Sequence, residues 1–348
     1  MSGEHEHELE LERVEREVMD DLRRARACGR RLPDFFIVGH AKCGTTALYE
    51  MLRRHPQIYM SAIKEPEFLS RADRLYAQRD ALAAAPAKVL PQTLDAYLAL
   101  FAPAGREQLA GEASTEYLRT PASAARIAEL CPHARIVAIL REPVSFLHSL
   151  HLQLLQVRVE TEADFERAMG LERQRRAGKH VPRGCPWPAA LLYSQHVRYV
   201  EQLRAYRERF DPERVLVAVY DDFRDDSDGF VRDVLRFLGV DDSVALEQTQ
   251  ANPTLRIRSR RAEGLVNAVS TGRGPVAATV KGAVKRLTPA RVRRDALGAA
   301  LRMVVDNEPR APDERFVTEL RARFKGEVLA ASEYLERDLV SLWGYDAL

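Results

Sequence analysis

The chain has 348 residues, 46% of them hydrophobic and 30% charged, which suits one large globular domain with a sizeable core. Its 53 basic and 51 acidic residues leave a formal net charge of +2, so the overall balance gives no reason to expect a nucleic acid or an anionic membrane as partner. Four cysteines stand without metal-ligand spacing, no window reaches the roughly 18 apolar residues of a membrane span, and the charged N-terminus has no signal-peptide core; a cytoplasmic protein needing no metal is expected.

Residues 1–32 read as an N-terminal helical extension ahead of a main domain at 33–348. Leu11, Val14, Val18 and Leu22 recur at helical spacing among Glu and Arg, which predicts an amphipathic helix that packs on the fold or serves as a homodimer contact. Phe35-Phe36-Ile37-Val38 predicts a short buried strand, then a Gly-bounded loop and a helix through Leu52. Gln57 to Met60 reads as a second strand. Lys64-Glu65-Pro66 then forces a loop, because the residue before proline avoids helical angles. Residues 75–91 are Ala-rich and Pro-interrupted, a surface insertion, and Leu94 to Phe101 a short helix.

Glu112 opens a short segment before a helix near Ser123 to Leu130, and Ala134 to Leu140 is the clearest parallel-type strand, ending at Arg141-Glu142-Pro143. A helix through Leu155, a polar stretch to Pro188, a helix from Leu191 to Phe210, a strand from Val215 to Tyr220 and a helix near Phe230 to Leu238 follow. The region 251–294 reads as a mobile loop with irregular helices, and Asp313 to Leu342 recovers helical spacing. Strands alternating with helices predict an α/β fold with a central parallel sheet flanked by helices.

Gly39-His40-Ala41-Lys42-Cys43-Gly44-Thr45-Thr46 follows a buried strand and opens a helix, the setting in which amide groups and a helix N-terminus hold an anion. The ordinary nucleotide loop has lysine directly after its second glycine; here Thr45 takes that place and the lysine has moved inside the loop, to Lys42. The spacing cradles a phosphate but does not suit a nucleoside triphosphate. Arg141 sits at the end of a core strand, where open α/β sheets bind ligands, and offers a planar fork to a phosphate; Ser149 lies about two turns on. A salt bridge between Arg141 and Glu142 is the plainer alternative. Asp221 and Asp222 also follow a strand, which keeps a magnesium-ATP kinase in view.

The pattern G-x-x-K-x-G-T-T resembles the 5'-phosphosulfate loop of the 3'-phosphoadenosine 5'-phosphosulfate (PAPS)-dependent sulfotransferases, including the heparan sulfate and carbohydrate group. The resemblance implies a P-loop-like sulfotransferase fold and PAPS as co-substrate, released as adenosine 3',5'-bisphosphate. Lys42, Cys43, Gly44, Thr45 and Thr46 would bind the phosphosulfate, and Arg141 and Ser149 the 3'-phosphate. Asn252-Pro253-Thr254 and the arginines after it resemble the basic loop that closes over the nucleotide, which implicates Arg258. Tyr220-Asp221-Asp222-Phe223 resembles a strand-end element whose acidic residues help hold the fold.

Sulfuryl transfer needs an aligned acceptor, a group to take its proton and positive charge on the leaving group. Lys42 suits the last role. Lys64-Glu65-Pro66-Glu67-Phe68-Leu69 resembles the heparan-type loop that carries the catalytic glutamate, which makes Glu65 the base, with Glu67, His148 and His151 as competitors. The Glu112 segment matches one beside the acceptor site, but Ala113 and Ser114 stand where heparan-type enzymes often have lysine, so acceptor identity does not carry over. The expected activity is sulfuryl transfer from PAPS to a hydroxyl, or an amine, of a carbohydrate or small-molecule acceptor, with residues 157–188 shaping the cleft. A Mg-ATP kinase and a non-catalytic adaptor that keeps the nucleotide fold are the alternatives.

Overall fold

The computed structural model describes residues 2–77, 90–157, 159–183, 185, 187–244, 246, 256–257, 305–306 and 312–347. Five strands form a parallel sheet in the order β2-β3-β1-β4-β5, with β1 at Phe35–Ile37, β2 at Ile58–Met60, β3 at Leu109–Ala113, β4 at Arg135–Leu140 and β5 at Val215–Val219. The chain leaves β1 for β2 on one side and later crosses to β4 on the other. That reversal puts a topological switch point outside the carboxyl ends of β1 and β4, where sheets of this kind bind ligands.

The strands follow from their residues. β1 and, beyond Arg135, β4 are buried and apolar on both faces, as parallel strands covered by helices require. β3, by contrast, reads Leu-Ala-Gly-Glu-Ala and was expected only as a short segment; it pairs with both β1 and β2. Gly111 is obligatory there, because a Cβ would stand 2.1 Å from the ring of Phe35.

Compact packing divides the chain into two units: Met1–Leu147, Tyr193–Asn252 and Thr318–Leu348 make the first, and His148–Leu192 with Pro253–Val317 the second. In the first, the sheet is joined by α1 (Ser2–Ala27), α2 (Thr45–Leu52), α3 (Phe68–Ala77), α4 (Leu94–Leu98), α5 (Glu116–Arg119) and α6 (Pro121–Leu130). The helix α1 lays Val14, Val18 and Leu22 against α3 and α6, and Arg126 of α6 pairs with Glu15. Each fully buried aliphatic side chain on that face contributes about 1.5–3 kcal/mol. Further on come α7 (Pro143–Gln156), which runs on into the second unit, α10 (Tyr199–Arg207), α11 (Tyr220–Asp225), α12 (Ser227–Leu238), α13 (Glu314–Tyr334) and α14 (Leu339–Leu342). The long helix expected from Leu191 to Phe210 is two 3-10 turns followed by α10.

The second unit holds α8 (Phe165–Gly170) and α9 (Glu172–Arg176). Arg175 there grips the fully buried Glu160 through two bonds of 2.7 and 2.8 Å. A two-stranded antiparallel pair joins Arg256–Ile257 to Val305–Asp306. The rest of the expected mobile loop at 251–294, Arg258 included, lies outside the described residues, as does most of the 75–91 insertion. No helix among the described residues is long and apolar enough to cross a membrane.

Candidate active site

The loop after β1 keeps its root in the sheet, since Val38 N–H donates to Val137 O (2.9 Å) and His40 N–H to Ile139 O (3.2 Å). Gly39 permits that approach: a Cβ would fall 2.2 Å from the Ile139 amide nitrogen. Lys42 and Gly44 then take left-handed angles, φ 63° and 79°, and turn the chain into α2. No side chain caps α2 at Gly44, so the helix offers its N-terminal dipole to the loop uncapped. Thr45 is buried in the first turn and Thr46 half-buried beside it. Burial pushes the Cys43 thiol up to about 12, so it stays protonated and serves as packing.

Arg141, one strand away at the end of β4, donates from Nη1 to Lys42 O (2.8 Å) and from Nε and Nη2 to Ser145 Oγ (3.1 and 2.7 Å). Its guanidinium lies 4.7 Å over the Tyr220 ring, and Tyr199 donates its hydroxyl to Arg141 O (2.7 Å). Glu142 turns the other way. It accepts from the amides of Val144 and Ser145 at the start of α7 and from the Tyr345 hydroxyl (2.6 Å), so the Arg141–Glu142 salt bridge does not form. Burial, then the charge of Arg141, lowers the pKa of Lys42. Among the described residues neither cation is paired with a carboxylate. Ser149 is buried one turn beyond Ser145 on α7.

Glu65 follows β2, two strands from β1 and roughly 10 Å from it at ordinary strand spacing. It has φ 57°, its N–H donates to Ala113 O (2.9 Å), and its carboxylate, 37% exposed, pairs with Lys64 (2.5 Å) and accepts from Thr115 Oγ1 (3.4 Å). Glu67, at φ 52°, is held against Arg71. In the second unit His148 and His151 pack on the Phe165 ring, with centroids 5.4 and 5.3 Å away. Glu112 is fully buried inside β3, where it accepts from Tyr97 and Ser114, so its side chain is internal rather than on a cleft; burial raises its pKa to about 7.

Asp221 accepts from Trp343 Nε1 (2.9 Å) and pairs with Arg224, while Asp222 takes both arms of Arg337 at 2.6 and 2.7 Å. Both carboxylates are thus engaged in holding chain segments together. The model of the Sulfotransferase family matches residues 33–243. The chain belongs to that family. Human carbohydrate sulfotransferase 15 is 57% identical over 42 residues, 12% of this chain, and mouse heparan sulfate glucosamine 3-O-sulfotransferase 6 is 32% identical over 127 residues, 36% of it. These matches span only 8% and 32% of the two relatives' own lengths. The crystal structure of a sulfotransferase from Alicyclobacillus acidocaldarius superimposes with a TM-score of 0.52 at 27% identity, covering 72% of this chain and 96% of that one.

In this sulfotransferase-family chain the Lys42 loop, Arg141 and Glu65 follow the carboxyl ends of β1, β4 and β2 of the one parallel sheet. The supporting contacts of Tyr199, Tyr220, Tyr345 and His40 were not foreseen from the sequence. His40 had a signal, a polar residue directly inside the loop glycine. It is buried between the rings of Phe146 and Tyr199 and bonded through Nε2 to Gln202 (2.9 Å), and burial pushes its pKa down to about 3, so it is neutral.

Proposed function

We propose that the chain transfers the sulfuryl group of PAPS to a hydroxyl of a carbohydrate or small-molecule acceptor in the cytoplasm. The observation that carries this reading is the meeting of Lys42 and Arg141 at the switch point, two cations joined through a main-chain bond and without a carboxylate partner among the described residues. Such a pair awaits a polyanion. The loop suits one: Lys42 and Gly44 turn it with left-handed angles into α2, whose N-terminal dipole no side chain caps.

Lys42 and the amides around Gly44 would hold the phosphosulfate, and Arg141 the 3'-phosphate, with Ser149 its second donor on the strength of the motif alone. PAPS supplies the activated sulfuryl group. Glu65 takes the proton of the acceptor hydroxyl, and Lys42 offsets charge on the departing phosphate. Membership of the family and the names of the carbohydrate-directed relatives support the acceptor class. The kinase reading fares worse, since Asp221 and Asp222 are already held by Trp343, Arg224 and Arg337.

Calorimetry with adenosine 3',5'-bisphosphate and with Mg-ATP tests the reading before any acceptor is known. Metal-independent binding of the bisphosphate, tighter than that of Mg-ATP, is expected. Preference for Mg-ATP would replace the proposal with a kinase, and binding of neither with an adaptor.

A further inference from the structure

We propose that Ser114 is a positioning residue that sets the carboxylate loop of Glu65 and Glu67 against the root of the phosphate loop. The inference rests on the reading of Glu65 as the base. Ser114 is buried at the end of β3, between the strands that carry the two loops. On one side its N–H donates to Ile37 O (3.1 Å), the last residue of β1. On the other its hydroxyl accepts from Glu67 N–H (3.1 Å) and donates to the buried Glu112 (2.6 Å). Its neighbours complete the frame, with Ala113 O accepting from Glu65 N–H and Thr115 Oγ1 donating to the Glu65 carboxylate.

Two non-glycine residues with positive φ flank Pro66, an arrangement that persists only where surrounding bonds over-determine it. The Ser114 hydroxyl supplies one of those bonds, and Glu112, as acceptor, fixes the direction of its proton and so leaves a lone pair for Glu67. One residue thereby ties the loop that carries the proposed base, through Glu67, to the strand from which the phosphate loop springs. Displacements of about 1 Å at this distance from the chemistry can cost a hundredfold in rate.

The test is amide hydrogen exchange on the free 348-residue chain, joined to kinetics with PAPS and 4-nitrophenyl β-D-glucoside as probe acceptor. Ser114→Ala should speed exchange across residues 64–69 about tenfold, the loss of one hydrogen bond, while 35–38 and 109–112 hold their protection. Ser114→Thr, which keeps the hydroxyl, should restore it. Tyr97→Phe, which strips the opposite oxygen of Glu112, serves as the control for simple core weakening and should leave 64–69 protected. In turnover, Ser114→Ala should lower kcat with KM for PAPS unchanged, and should add nothing in a Glu65→Ala background. Unchanged exchange over 64–69, or a rise shared equally with 35–38 and 109–112, would overturn the proposal. Full turnover by Glu65→Ala alone would instead remove the base assignment, and the exchange pattern would still decide the role of Ser114.

Discussion

Arg141 reaches across from the end of β4 to the main-chain oxygen of Lys42, 2.8 Å away. The contact locks the two strand ends that face the switch point, and it leaves both cations beside one another. Replacing Arg141 by alanine should therefore weaken binding of adenosine 3',5'-bisphosphate about 10- to 100-fold, the worth of charge-assisted hydrogen bonds, as read by calorimetry. Lys42→Ala should weaken it as well. Arg141→Lys should rescue only part, because ammonium cannot keep the bonds to Ser145 and Lys42 together.

Glu65 should separate binding from chemistry. Glu65→Gln is expected to bind the bisphosphate within about twofold of the parent and to lose roughly 10²- to 10⁴-fold in kcat, the usual worth of a general base. Bisphosphate release from PAPS with the probe glucoside measures the second effect. Parent-like kcat would pass the role to Glu67.

Buried and neutral, His40 makes stability depend on acid. The unfolded chain takes up a proton near pH 6.5, whereas the folded one refuses it until about 3. Lowering the pH through that window favours the unfolded chain, by up to about 1.4 kcal/mol per unit. Urea midpoints measured from pH 7 to 4 should fall less steeply for His40→Gln than for the parent. Equal slopes would refute the assignment.

The slope from Glu112 has the opposite sign. Its unfolded carboxyl ionises near 4.5 and its folded one near 7, so the stability it lends is full below 4.5 and is lost as pH rises to about 7. Glu112→Gln removes the titration. Relative to the parent it should gain stability between pH 4.5 and 7, on the order of 3 kcal/mol, and hold that gain at higher pH.

Asp222 distinguishes the two nucleotide chemistries. Its pair with Arg337 is more than a third exposed on both sides, which places it among surface bridges worth about 0–1 kcal/mol. Asp222→Asn should lower Tm by a few degrees at most and leave bisphosphate affinity within about twofold. A loss of magnesium-dependent nucleotide binding in that variant would point to ATP.

Much of this frame was legible because parallel strands buried on both faces have a plain signature, as Phe35 to Val38 and Ala134 to Leu140 show. Motifs at their ends placed Lys42 and Arg141, and the loop before Pro66 placed Glu65. β3 was hidden by Gly111 and Glu112, residues that strands usually avoid. Each is there for a reason no local pattern carries: the Phe35 ring fills the space of a Cβ, and Tyr97 and Ser114 satisfy the carboxyl from positions distant in the chain or two residues on. The partner of Glu142 was hidden for the same reason. Its partner Tyr345 stands 203 positions downstream, beyond the reach of any spacing argument.

That separation has a bearing on synthesis. The sheet strands and the turns that carry Lys42 and Arg141 are complete by Val219, yet Glu142, Asp221 and Asp222 find Tyr345, Trp343 and Arg337 only when the segment 337–345 has been made. A nascent chain at the ribosome can form the sheet before the Arg141-Glu142 turn is clamped, so the nucleotide grip proposed above should mature only once 337–345 has joined a scaffold already standing.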